Sequence, residues 1–152
     1  MKLLTKNPLF FAFFLPDLVD GIVTLVGQDA QYWSGRVVNE ASPAYYALLF
    51  SPWLFLFGSL VWFGFWYWAM KRLKEPFSFF FVFLFTAGHS WGSSSWLWKI
   101  ARDNGWYVAT DQLSVMLVWG GAVVYFVLIA VFATICLQLY LRKRKKLQPA
   151  QG

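Results

Sequence analysis

Apolar residues fall in four long blocks with short polar stretches between them. The blocks run from about Pro8 to Gly27, about Ala44 to Met70, about Phe77 to Trp98 and about Leu113 to Leu141. An α-helix rises 1.5 Å per residue, so about 20 residues cover the roughly 30 Å of a bilayer's hydrocarbon core. Each block is that long. Asn7 before Pro8, and Ser42 before Pro43, set a capping residue type ahead of a proline suited to the first turn. Asp111 takes the capping position ahead of the fourth block. Pro16 and Pro52 lie inside their blocks and are expected to kink them. The run 77–85, FSFFFVFLF, also suits a buried strand. An open strand leaves its backbone groups unpaired in lipid and a helix does not, so helix is the prediction. The segment Lys71 to Pro76 and the sequence Asp103-Asn104-Gly105 read as turns. The expected fold is all-α: a four-transmembrane-helix bundle over residues 1–141, followed by a basic cytoplasmic tail, 142–152.

Composition supports lipid as the solvent. Only 13% of the 152 residues are charged, while 59% are hydrophobic and 22% aromatic; soluble domains carry about a quarter charged residues. A signal peptide competes for the first block, since Lys2 and Lys6 precede a short apolar core. Pro16 and Asp17 interrupt that core, and no small-x-small cleavage site follows closely. The formal net charge is +6, and five of the 13 basic residues form one run, Arg142, Lys143, Arg144, Lys145 and Lys146. No groove-reading or base-stacking module accompanies the run, so it points to anionic lipids and not to nucleic acid. Lys2, Lys6, Lys71, Arg72 and Lys74 fall on the tail's side of a four-span topology, and only Arg36, Lys99 and Arg102 on the other. The basic-rich side is cytoplasmic, which puts both termini there. The ten Trp residues supply interfacial belts, with Trp66 and Trp68 at the inner end and Trp33, Trp96, Trp98 and Trp106 at the outer. The expected location is a cell membrane, that of a bacterium or archaeon. The lone Cys136 permits no internal disulfide.

Polar residues inside the apolar blocks mark the candidate site. A charge at mid-bilayer costs a few kcal/mol at least, so such residues face the bundle interior and find partners. Asp17, Asp20, Thr24 and Gln28 follow helical spacing and form one stripe. The third block carries Thr86, His89, Ser90, Ser93, Ser94 and Ser95, with His89, Ser93 and Trp96 on one face. Gly88 and Gly92 form a small-xxx-small pair that lets another helix approach. The first connection adds Tyr32, Trp33, Asn39 and Glu40. These groups share a depth in the outer half, and an outward-opening polar pocket is expected. Its residues are Asp17, Asp20, Thr24, Gln28, Glu40, His89 and Ser93, with Asp17, Asp20 and His89 at the floor and as the candidates for any catalysis. Internal hydrogen bonding between helices is the competing account, worth about 1 kcal/mol per bond in lipid.

Asp20-x-x-x-Thr24, Gly27-Gln28, Tyr32-Trp33 and Asn39-Glu40-x-x-Pro43 together resemble small uncharacterised microbial multi-pass membrane proteins, a domain of unknown function with an Asp-x-x-x-Thr first helix. The resemblance covers about the first third of the chain. It implies a helical membrane fold and no particular chemistry.

Several motifs tempt and fail. Gly88-His89-Ser90-Trp91-Gly92 spells G-x-S-x-G, but a hydrolase triad needs a histidine outside the motif and His89 is the only one. An intramembrane serine protease using Ser93 or Ser94 with His89 places both groups on one helix, where Ser-rich faces ordinarily pack. Asp17, Asp20, Glu40 and His89 form a carboxylate-rich set, yet the Glu-x-x-His signature of di-iron bundles is absent and one Cys with one His excludes structural zinc. No metal is therefore assigned. His89 offers one axial ligand for haem without further support, and the cofactor is left open. Lys99, Arg102 and Asp103 read as a solvated outer loop, and Tyr45, Tyr46, Trp53, Trp62 and Trp66 as lipid contact and packing. Two functions remain. One is a non-catalytic accessory subunit, in contact with other membrane subunits or with itself, or a binder of a lipid-like ligand. The other is a small intramembrane enzyme or proton-linked carrier using Asp17, Asp20 and His89.

Overall fold

Every regular element among residues 2–147, which the computed structural model describes, is an α-helix. In chain order they are α1 Lys2–Lys6, α2 Pro8–Val26, α3 Ala30–Gly35, α4 Ala44–Phe50, α5 Pro52–Ala69, α6 Phe77–Asp103 and α7 Gln112–Leu147. Two of them, α2 and α7, are long and apolar enough to cross a membrane.

The four long helices alternate in direction. Phe10 meets Tyr67 with ring centroids 5.3 Å apart, and Phe14 meets Phe63 at 4.9 Å, so α5 descends beside α2. Phe13 lies 5.2 Å from Phe85 and Asp20 meets His89, so α6 runs parallel to α2. Phe79 against Tyr140 at 5.6 Å and Trp98 against Trp119 at 5.1 Å set α7 antiparallel to α6. Lys143 Nζ donates to the Lys6 carbonyl, so the first and last helices meet at one end of the bundle.

Packing is uneven. Helix α2 touches α5, α6 and α7, and α6 also touches α7, whereas no Cα of α5 comes within 8 Å of one in α6 or α7. Side chains bridge that gap near the basic end. Trp66 packs on Phe81 and Phe85, with Leu9, Phe10, Phe13 and Cys136 buried around it. Toward the other end α5 and α6 stand apart, and a cleft lies between them. Much of the outer surface is apolar: Trp53, Phe57 and Leu60 on α5, Phe83 and Trp91 on α6, and Leu117, Val124 and Leu128 on α7 are exposed.

Several expected boundaries move. The second block is two helices and not one kinked helix. Proline disfavours the helical backbone of the residue before it, and Ser51 is extended, with its hydroxyl accepting from Leu54 N as the cap of α5. Residues 30–35, expected as loop, form α3. Helix α6 passes Trp98 to reach Asp103, and Gly105, at φ +72°, supplies the left-handed turn beyond it. Lys99, Arg102 and Asp103 are thus helical and not a solvated loop. Helix α7 continues through the basic run to Leu147, so the separate tail begins no earlier than 148, and 148–152 lie outside the described residues. Asn7 precedes α2 but makes no capping bond; its Nδ2 donates to Tyr67 O at 2.7 Å instead. Asp111 does cap α7, accepting from Leu113 N and Ser114 N. Trp66 and Trp96 are buried and do not serve an interfacial belt.

Candidate functional site

The site is built on the stripe of α2. Asp17 and Asp20 lie one turn apart and face α6, where His89 stands at the same height. His89 Nδ1 is 2.8 Å from Asp20 Oδ2 and 3.5 Å from Asp17 Oδ1. The indole N–H of Trp62, from α5, donates to Asp17 Oδ2 at 2.8 Å. Three helices thus meet on two carboxyl groups and one imidazole. Asp20 fits so closely because residue 92 is glycine: a Cβ there would stand 2.8 Å from the Asp20 carboxylate. Gly88, the other member of the small-residue pair, has nothing within 4 Å of its Cβ position and faces open space.

That space is the cleft, a cavity of about 710 Å³ between α2, α5 and α6. Asp17, Asp20, Thr24, His89 and Glu40 make its polar wall, and Ala47, Phe55, Phe63, Leu84 and Phe85 its apolar wall. A smaller hollow of about 220 Å³ adjoins it at the end away from the basic termini, sharing Glu40, Ser95 and Trp96 and adding Lys99. Glu40 reaches the cleft because its loop folds over. Glu40 Oε1 accepts from the backbone N–H of Ala41 and Ser42, and Oε2 accepts from Trp96 Nε1 at 3.3 Å. Gly27 permits this closure, since a Cβ there would collide with the Trp96 ring.

Five of the expected pocket residues therefore line the cleft together, and two do not. Gln28 bridges backbones, donating to Thr24 O and Asn39 O and accepting from Asn39 N. It fastens the loop that carries Glu40. Ser93 is fully buried and bonds to the His89 and Ser90 carbonyls and to Tyr125 OH at 2.6 Å, tying α6 to α7. Trp62 is a site residue that the sequence reading assigned to packing. Its only sequence signal is an indole N–H one turn from Ser59 and Gly58 in an otherwise apolar helix.

The mouth at the end away from the basic termini is latched by Lys99. Its Nζ donates to Asp29 Oδ1 and Asp103 Oδ2, each at 2.6 Å, and to Gly27 O. Burial lowers the Lys99 pKa, but the bonds from Asp103 and Asp29 outweigh it and the net shift is upward. The hydrogen bond from Lys99, opposed only weakly by burial, holds the Asp103 carboxyl below the usual range.

The arrangement binds and orients protons. With Nδ1 fixed by Asp20, the His89 ring leaves Nε2 without a partner among the described residues. Ser93, its neighbour one turn along α6, is committed to Tyr125 and to its own helix. No group of three or more His, Cys, Asp or Glu side chains among the described residues is arranged to hold a metal ion.

No protein-family model, curated protein or solved structure matches this chain.

Proposed function

We propose that this chain crosses a membrane four times, with both termini in the cytoplasm, and binds a lipid-like amphiphile in the cleft between α5 and α6 as a non-catalytic binding or accessory protein. The alternating helix directions, the apolar outer surface and the basic residues gathered at one end support the topology. The observation that carries the binding reading is the two-faced cavity, with two acids and an imidazole on one wall and aliphatic and aromatic side chains on the other. Small-molecule sites have this character, mostly apolar with a few convergent polar groups.

Gly88→Leu is the test, because residue 88 lines the cavity and a Cβ there meets nothing within 4 Å. Protein purified in mild detergent is extracted with organic solvent, and the extract is examined by mass spectrometry. An amphiphile is expected with the wild type and not with Gly88→Leu. Equal amounts on both, or none on either, would remove the reading. One observation favours acid–base catalysis instead: Asp20 orients His89 so that Nε2 is free for proton transfer. Under that reading the bound molecule recovered from His89→Ala differs chemically from that recovered from the wild type; an identical molecule leaves binding alone.

A further inference from the structure

We propose, on the amphiphile-binding reading, that the head of the amphiphile is a primary ammonium group. The charge inventory comes first. Asp17, Asp20 and Glu40 line the cleft against a single basic group, His89. Lys99 at the mouth does not redress this, since Asp29 and Asp103 already neutralise it. A surplus of acid in a low-dielectric site is stabilised by a cation or by protons.

The hydrogen-bond inventory agrees. Four protein donors are already committed: Trp62 Nε1 to Asp17 Oδ2, Trp96 Nε1 to Glu40 Oε2, and the Ser59 and Ser95 hydroxyls to carbonyls of their own helices. Acceptors are left over. Among the described residues Asp17 Oδ1 has only His89 at 3.5 Å, and Asp20 Oδ1 has no hydrogen bond. Thr24 lines the cleft at 5% exposure, and its hydroxyl makes no hydrogen bond with the described residues. That hydroxyl faces the cleft and can accept from a guest. The guest must therefore bring N–H donors as well as positive charge, and a primary ammonium brings three N–H donors. The aromatic rings of Trp62 and Phe85 line the cleft with the acids, and aromatic rings attract cations. The alkyl chain lies along Phe55, Phe63 and Leu84.

Four probes with one alkyl chain separate these contributions: dodecylamine, dodecyltrimethylammonium, dodecanol and dodecanoate. Binding to the full chain in phosphatidylcholine nanodiscs at neutral pH is followed by intrinsic tryptophan fluorescence, with empty nanodiscs as the partition blank. Dodecylamine is expected to bind about tenfold tighter than dodecanol or the quaternary amine, the order of one charge-assisted hydrogen bond. Dodecanoate is expected not to bind above the blank. Asp20→Asn and Thr24→Val should each weaken the amine by more than they weaken the alcohol. Dodecanol or dodecanoate binding as tightly as the amine overturns the ammonium head and leaves the amphiphile reading standing. If none of the four saturates above the blank, the amphiphile reading itself is lost. The ranking on the wild type decides the matter even if a variant does not fold.

Discussion

Trp62 and Trp66 stand one turn apart on α5, pack on the same Phe85 ring and differ in what their N–H groups do. The Trp62 indole donates to Asp17, while Trp66 Nε1 is buried with no hydrogen-bond partner. A bond to a buried carboxylate is worth about 1.5–3 kcal/mol, and losing a group that bonds nothing costs only packing. Trp62→Phe is therefore expected to destabilise the protein by about 2 kcal/mol more than Trp66→Phe, read as the difference between their unfolding midpoints in one detergent. A larger loss for Trp66→Phe would show that ring packing, not the acid, sets the value of these positions. The two acids and His89 were legible in the sequence because a charged residue inside an apolar block demands a partner. Trp62 was not, since in such a chain tryptophan reads equally well as a lipid-facing residue. Helical spacing placed Gln28 and Ser93 on plausible faces, yet it says nothing about where an amide or a hydroxyl finds its bond. Both turned to backbone and to α7 instead of the cleft.

At the scale of elements, block lengths located the long helices, and the misplacements have local causes. Pro52 dictates an extended residue before it, and Ser51 both occupies that conformation and caps the new helix, so a break replaces the expected kink. Helix α6 outlasts its apolar run because Lys99 and Asp103 are one turn apart and pair along the helix. The same lysine reaches Asp29 between α2 and α3, joining two helix ends. Asp103 has its pKa lowered by that bond. A carboxyl lowered on folding contributes stability above its unfolded pKa and loses it as pH falls through the lower, folded value. Acidification from about pH 5 to about pH 3 is thus expected to lower the amide protection factors in the last turn of α6 before those of the rest of the bundle. The effect is small, because the pair is solvated. Asp103→Asn should raise exchange there at neutral pH and remove its acid dependence. An acid limb unchanged in the variant would assign it to other carboxyl groups.

For the whole molecule, the claim with most weight is the four-span topology, and labelling from either side of the membrane tests it. In a Cys136→Ser background, single cysteines replace Lys6, Arg36, Trp106 and Lys145, all exposed positions. A membrane-impermeant thiol reagent applied to intact cells is expected to label positions 36 and 106, and to reach 6 and 145 only after lysis. Labelling of 36 and 145 from the same side would end the four-span reading. The sequence suggests this proposed topology because helices pair their own backbone groups in lipid and the basic residues sort by connection. It could not carry the unequal packing, which depends on which aromatic rings meet. That inequality has a mechanical meaning. Helices α2, α6 and α7 share close backbone approaches, whereas α5 touches only α2 and its neighbour α4 and leans on α6 through rings alone. The gap between α5 and α6 is therefore set by the tilt of one weakly tethered rod. On the proposed binding role, rocking of that rod about its aromatic fulcrum is expected to admit guests of different girth, and the Trp62 indole carries the motion to Asp17.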